Sequence, residues 1–266
     1  MKIAVIGGNR FTGKKLVEKL IQNKDNEVTL FNRTESGHEK AIKFKFDRDE
    51  DKVKLDKFDC VVDMCLYKLE QFKRIKKSIP KNIKYIFMST GAVEHIKEFG
   101  LYAKQKKAIE KALSKTDLDY TIIRPSYIDG IDNHLIRIEY YIYFLTNDLE
   151  IEISGGKGDY PINLVDVDDV VKAMFKIITT DYEITKGKTY NICSSKSTTI
   201  DKLIDFIKKE LKIEKHKVRD SLAAPFPKYP LELDNKFTEK ELEMKFGSWR
   251  GLVRKIIRKL KSEDKI

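Results

Sequence analysis

The feature that most constrains this chain lies in its first fifteen or so residues. Ile3-Ala4-Val5-Ile6 is an apolar run too short for a signal peptide, and it reads as a buried strand. Gly7-Gly8-Asn9-Arg10-Phe11-Thr12-Gly13 follows at once, and Lys14-Lys15-Leu16-Val17 opens a helical pattern. A strand, a glycine turn and a helix in that order form a β–α unit whose turn can approach an anion. Gly7 suits the tight turn, a missing Cβ lets backbone come close to a pyrophosphate, and Gly13 suits close helix–strand packing. The helix N-terminus then presents unpaired N–H groups to phosphate oxygens.

The same alternation continues along the chain. Strands are expected at Ile3–Ile6, Glu27–Phe31, Lys43–Phe46, Cys60–Asp63, Tyr85–Met88, Tyr120–Ile123, Ile162–Val165 and Thr189–Ile192. Helical patterns cover Lys14–Gln22, Leu69–Lys77, Tyr102–Ser114, Asp168–Thr179 and Thr199–Leu211. Such an order predicts an α/β fold, a Rossmann-type doubly wound parallel sheet with helices on both faces. The rhythm breaks between Ser126 and Pro161, and the end of the chain is helical with proline turns at residues 224–230. Residues 1–125 with 162–192 are therefore expected to form the dinucleotide-binding core. Residues 126–161 and 193–266 form a small substrate lobe over the carboxyl edge of the sheet, where ligands bind in such folds.

Charge and cysteine content narrow the function classes. The 266 residues carry 53 Lys and Arg against 42 Asp and Glu, a net charge of +11. Only 10 of the 53 are Arg, and most lie on polar helix faces beside acids, as in Glu110-Lys111 and Lys208-Lys209-Glu210. That is the pattern of a solvated surface, so nucleic acid stands only as the alternative partner. The segment Trp249–Lys261 pairs an apolar stripe (Leu252, Val253, Ile256, Ile257, Leu260) with a basic face and reads as a C-terminal helix docked on the domain. No run is long enough to span a membrane. Cys60, Cys65 and Cys193 have no paired spacing, and His38, His95, His134 and His216 do not cluster. Neither a disulfide framework nor a metal is expected, and a reducing cytoplasm is the expected setting.

An acid at the end of the second strand would hold the ribose 2′-hydroxyl of NAD, whereas an arginine there suits the 2′-phosphate of NADP. This chain reads Phe31-Asn32-Arg33. Arg33, with Arg10 from the glycine turn, forms a candidate two-arginine clamp. NADP is expected over NAD.

Together these motifs resemble the extended and atypical short-chain dehydrogenase/reductases, the NAD-dependent epimerase/dehydratase group. The family turn reads GxxGxxG; here Arg10 stands at the middle glycine. The variant Gly-Gly-x-Arg-Phe-x-Gly is similar to the subgroup that includes stem-loop-binding relatives. The resemblance covers most of the chain and is strongest at residues 1–34 and 84–130. It implies that Gly7, Asn9, Arg10, Phe11 and Gly13 cradle the dinucleotide, with Asn32, Arg33, Asp47, Met64, Cys65, Ser89 and Pro125 along its length. Asp47 would face the adenine edge. Asp166-Val167-Asp168-Asp169-Val170 resembles the family's strand–helix junction, where the acids cap the helix.

Tyr102 and Lys106 are spaced to share one helix face. A phenol with a pKa near ~10 is a poor acid/base at neutral pH, and a neighbouring ammonium favours the phenolate. The resemblance implies that Thr90, at the end of the strand Tyr85–Met88, completes the set by holding the substrate oxygen, and that Lys106 also meets the nicotinamide ribose. Gly91-Ala92 follow Thr90 where family dehydratases carry Asp-Glu, which disfavours 4,6-dehydration. The expected activity is hydride transfer at a carbonyl or hydroxyl carbon, reductase or epimerase, of a small or sugar-type substrate, a sugar nucleotide included. A homodimer through the tyrosine-bearing helix is also open to the chain by resemblance. The alternative is an RNA-binding or regulatory protein on the same fold.

Overall fold

The computed structural model describes all 266 residues. The chain runs β1 (Lys2–Ile6), α1 (Phe11–Ile21), β2 (Glu27–Asn32), β3 (Ile42–Lys45), β4 (Cys60–Asp63), α2 (Leu69–Ile75), β5 (Lys84–Met88), α3 (Ile96–Leu113), β6 (Tyr120–Pro125), β7 (Tyr127–Asp129), α4 (Arg137–Thr146), β8 (Ile151–Ile153), β9 (Pro161–Ile162), β10 (Leu164–Asp166), α5 (Val167–Thr179), α6 (Tyr182–Thr185), β11 (Thr189–Ile192), β12 (Thr198–Thr199), α7 (Ile200–Leu211), β13 (Val218–Asp220), α8 (Lys236–Glu241) and α9 (Trp249–Ser262). Seven strands form one sheet in the order β11-β6-β5-β4-β1-β2-β3. Every pairing in it is parallel. The order reverses between β1 and β4, which opens a crevice at their carboxyl ends.

The central strands are near-continuous apolar runs because both faces are covered. On one face Ile3, Val5, Val62, Ile86 and Ile123 pack against Leu16, Val17 and Leu20 of α1 and Val170, Met174 and Ile177 of α5. On the other, Ala4, Ile6, Val61, Tyr85 and Phe87 pack against Phe72 and Ile75 of α2 and Ile109 and Leu113 of α3. Lys84 is buried at the start of β5. Its Nζ donates to the Ile177, Ile178 and Thr180 carbonyls at 3.0, 3.1 and 2.6 Å, capping the end of α5.

A second core lies in the lobe. Ile138, Tyr141 and Ile142 of α4, Leu203 and Ile207 of α7, and Leu252, Val253 and Ile256 of α9 enclose it. The C-terminal helix is docked as its stripe predicts, and internal acids neutralise part of its basic face. Arg254 pairs with Glu210, Lys255 with Asp166 and Asp168, and Lys259 with Glu263.

Beyond shifted element ends, of which the start of α3 at Ile96 rather than Tyr102 is the largest, two differences alter the layout. The strand expected at Ile162–Val165 is split: β9 pairs with β12 and β10 with β7, both outside the central sheet. Asn163 breaks the run, its side chain accepting from Leu233 N and donating to the Ser194 carbonyl. The segment 236–247 also leaves the lobe, with Leu242 and Phe246 completing the core beneath α1 and α5.

Candidate functional site

The glycine turn sits over the crevice. Gly7 has φ +96°, and a Cβ there would meet Cys65 Sγ at 3.1 Å. Gly13 is more constrained: a Cβ would lie 2.3 Å from the Gly7 carbonyl oxygen, so only glycine lets α1 start this close to the turn. Gly8 N donates to Asn32 Oδ1 at 3.0 Å, and Asn32 Nδ2 donates to Asn9 Oδ1 at 2.8 Å. Asn9 in turn donates to Ser36 Oγ at 2.7 Å. Asn9 and Asn32 therefore brace the turn. Phe11 opens α1 with φ +37°, and no side chain caps the helix. With no acid in the first turn, the positive end of α1 is open to an anion. These features fit a dinucleotide pyrophosphate.

The residues expected along the cofactor are spread around that turn. Arg10 and Arg33 are exposed, and neither makes an ion pair or side-chain hydrogen bond. Arg33 and Asp47 border a cleft of about 960 Å³ at the β2–β3 edge, with Phe31 and Phe46 in its wall. Asp47 Oδ1 accepts from Asp49 N at 2.9 Å, which fixes the turn after β3. Met64 and Cys65 follow β4, half-buried. The Cys65 thiol donates to the Ile6 carbonyl at 3.7 Å, and burial pushes its pKa up. It is a packing residue rather than a thiolate.

Thr90 follows just after β5, and Tyr102 and Lys106 lie on α3. Gly100 interrupts α3 with φ +57° and ψ −135°, so the helix restarts at Leu101 and Tyr102 stands in its first turn. The Tyr102 ring lies 6.5 Å from that of Tyr67. Tyr102 is 44% exposed as a residue; partial desolvation of its hydroxyl pushes the phenol pKa up, and the Thr90 hydroxyl draws it back. Lys106 is 1% exposed. Its Nζ donates to the Met88 carbonyl at 2.7 Å and lies 4.8 Å and 4.9 Å from the Tyr67 and Phe87 ring centroids. Burial lowers the Lys106 pKa to about 8. The expected tuning of Tyr102 by Lys106 is thus corrected. The ammonium is directed at β5, and partial desolvation and Thr90 act on the phenol.

Ser89 is buried, and its Oγ donates to Glu110 Oε1 at 2.6 Å. Glu110 also accepts from Arg124 Nε at 2.8 Å and Nη2 at 2.6 Å, and Arg124 reaches Glu94 as well. This network fixes the carboxyl ends of β5 and β6, including Pro125. Thr90 Oγ1 accepts from Ala92 N at 3.3 Å at the start of a short 3₁₀ turn. Leu233 presses on that turn: a Cβ on Gly91 would lie 2.6 Å from its Cδ1.

Sequence reasoning missed a buried set beneath the cleft. Arg48 Nη2 donates to Asp63 Oδ1 at 2.6 Å, and the Tyr85 hydroxyl donates to Asp63 Oδ2 at 2.9 Å. The available signal was an acid ending the apolar strand Cys60-Val61-Val62-Asp63. The acids after β10 behave as expected, with Asp166 Oδ1 accepting from Asp168 N at 3.0 Å as the N-cap of α5.

Fold and site define a class: a doubly wound, parallel-sheet protein with a glycine turn after its first strand. No family model matches the chain. The chain is 25% identical over 234 residues to the chloroplast stem-loop binding protein of 41 kDa b of Arabidopsis thaliana. That match takes in 76% of this chain and spans 61% of the relative's length. Among solved structures it is similar to the UDP-glucuronic acid 4-epimerase of Bacillus cereus in complex with UDP-glucuronic acid and NAD, at TM-score 0.80 and 15% identity over 99% of this chain and 100% of that one. It is also similar to the UDP-N-acetylglucosamine 4-epimerase of Methanobrevibacter ruminantium, at TM-score 0.78 and 21% identity over 98% of both chains. The UDP-glucose 4-epimerase of Thermotoga maritima gives TM-score 0.77 and 18% identity over 99% of both. The chain has the fold of the extended short-chain dehydrogenase/reductases, the group of these neighbours and of the distant Arabidopsis homologue. No helix is long and apolar enough to cross a membrane.

Proposed function

We propose that this protein is a nicotinamide-dinucleotide enzyme of the extended short-chain dehydrogenase/reductase family, acting on the carbonyl or hydroxyl carbon of a sugar-type substrate. The observation that supports the reading is that Lys106 of α3 is held on the end of β5, with Tyr102 of the same helix close to Thr90, in a fold whose glycine turn opens an uncapped helix. A bound nicotinamide would supply or accept the hydride. Gly7–Gly13 and the start of α1 would hold its pyrophosphate. Arg33 and Arg10, both without a protein counter-charge, favour NADP, although the Bacillus cereus neighbour was solved with NAD.

In this reading Thr90 Oγ1 orients the substrate oxygen and Tyr102 Oη gives or takes the proton there. Lys106 Nζ is held on the Met88 carbonyl, and to meet the cofactor ribose, as the resemblance implies, it would have to turn out from that bond. Gly91 and Ala92, buried under Leu233, leave no place for an acid pair next to Thr90, which speaks against 4,6-dehydration. A reductase fits the exposed arginines, an epimerase fits the nucleotide-sugar enzymes sharing the fold, and a sugar nucleotide is the first substrate class to try. The three free thiols suit a reducing cytoplasm.

The test is calorimetry with NADP and NAD, then a screen of carbonyl compounds and UDP-sugars with both. Binding of either dinucleotide and a turnover that falls roughly 10²-fold in Tyr102→Phe support the reading. No binding at millimolar concentration, or full turnover in Tyr102→Phe, overturns it. A second reading, RNA binding, has one observation in its favour: the Arabidopsis relative is named for stem-loop binding. Anisotropy with an RNA stem-loop across a salt series tests it, a steep salt slope with a stem-loop preference supporting it.

A further inference from the structure

Positive charge is unevenly placed along this chain. Residues 199–217 and 248–266 carry 13 Lys and Arg against 6 Asp and Glu, so +7 of the net +11 falls on α7, α9 and their flanks. Three of the ten arginines, Arg250, Arg254 and Arg258, stand on α9 at spacings of four. That spacing sets them in one row, about 6 Å apart along the helix axis. All three are exposed.

Packing fixes the direction of the row. Leu252, Val253, Ile256, Ile257 and Leu260 are buried in one cluster with Leu203 and Ile207 of α7, which leaves the arginines the outer side of the helix. Phe206 of α7 is partly exposed beside them, its ring centroid 5.7 Å from the guanidinium carbon of Arg250 and 5.1 Å from that of Arg254. Arg250 also lies 4.3 Å from the Trp249 ring, which meets Phe206 edge-on at 5.3 Å. Glu210 accepts from Arg254 Nε and Nη2 at 3.1 and 2.9 Å, and this is the one ion pair in the row. A guanidinium already held on a ring gives up less freedom when it takes a ligand.

The chemistry narrows the partner. The apolar stripe of α9 is spent in the core and is not free to enter a lipid surface. A small anion would occupy one guanidinium, whereas a strand of phosphodiesters presents charges in succession and can engage the row as a whole. An aromatic ring among arginines is also the pattern of sites that take single strands. We propose that α7 and α9 form a binding surface for the phosphodiester backbone of a nucleic acid, with Arg250, Arg254 and Arg258 on successive phosphates. The surface does not rest on the nicotinamide reading, because these two helices carry neither the glycine turn nor Thr90, Tyr102 and Lys106.

The test is fluorescence anisotropy of the full chain with single-stranded RNA and DNA of one mixed sequence, from about 50 to about 200 mM salt. The parent should bind with a logarithmic salt slope of about −2 or steeper. Replacing Arg250, Arg254 and Arg258 together by Gln should weaken binding about tenfold or more at the lowest salt and flatten the slope. Arg258 makes no ion pair, so Arg258→Gln keeps the fold and should by itself reduce the slope by about 1. Tighter binding of RNA than of DNA marks the 2′-hydroxyl as a further contact, and equal binding marks the phosphates alone; loss of both in the triple variant supports the row either way. Lys24→Gln with Lys77→Gln and Lys115→Gln removes the same charge from exposed sites elsewhere. An equal loss there, competition by polyglutamate as strong as by RNA, or no binding at about 50 mM salt overturns the proposal. Dinucleotide binding, measured separately by calorimetry, bears on the enzyme reading alone.

Discussion

Glu110 offers the sharpest test of how the site is held. Its carboxylate is 4% exposed as a residue and takes three donors: Ser89 Oγ at 2.6 Å, Arg124 Nε at 2.8 Å and Arg124 Nη2 at 2.6 Å. Glu110→Ala removes all three at once. A hydrogen bond to a charged group is worth about 1.5–3 kcal/mol, and an orphaned buried hydroxyl costs about 1–3 kcal/mol. Breaking a buried ion pair from one side costs about 3–5 kcal/mol. Arg124 keeps its half-exposed partner Glu94, so the lower part of that range applies. The expected loss is therefore about 3 kcal/mol for Glu110→Ala and about half of that for Glu110→Gln, which retains one acceptor oxygen. Urea unfolding monitored by circular dichroism reads both, as a lower midpoint at unchanged slope. An alanine variant within about 0.5 kcal/mol of the parent, the range of an ordinary surface change, would refute the reasoning.

Three further outcomes follow from the geometry. Gly13→Ala places a Cβ 2.3 Å from the Gly7 oxygen, so calorimetry should find dinucleotide affinity lost while circular dichroism finds the helices retained. Arg33→Ala should weaken NADP binding about ten- to a hundredfold and NAD little, since one charge-assisted pair of about 1.5–3 kcal/mol is removed; equal changes would exclude Arg33 as the discriminator. The Lys106 pKa is lowered by burial to about 8 from 10.5, so between those values the unfolded chain binds the extra proton and this group makes stability rise with pH. Lys106→Met should flatten that part of a pH–stability curve from chemical denaturation.

The central sheet was legible because its inner strands are apolar runs and its outer ones alternate, all bounded by turns. Cys60–Asp63 and Thr189–Ile192 match their expected limits residue for residue. The lobe was not. Arg137–Thr146 is a ten-residue helix whose buried face carries Tyr141 among polar and aromatic neighbours, so its period is faint. The strand expected at Ile162–Val165 divides because Asn163 is held by Leu233 and Ser194, and such distant partners leave no local trace. In the site, the glycine turn and the Tyr–Lys spacing are local patterns and could be read directly. The bond from Ser89 to Glu110 could not be read, because the two are twenty-one positions apart. The Arg48–Asp63 pair joins two strand ends and was invisible for the same reason.

The break at Gly100 separates two lengths of chain that would otherwise be mechanically joined. No atom stands within 4 Å of where a Cβ on Gly100 would be, so the joint is open rather than wedged. A continuous helix would transmit every inserted or deleted residue as a rotation of about 100° to everything downstream. Here that phase is reset at Leu101. The stretch between Thr90 and Gly100 can therefore change length or sequence without turning Tyr102 and Lys106 away from the end of β5. Tyr102 and Lys106 are indexed to the sheet through the Lys106–Met88 bond rather than to the segment that precedes them. A chain built this way can vary the rim of its cleft, and so what it admits, while the phase of its tyrosine and lysine stays fixed.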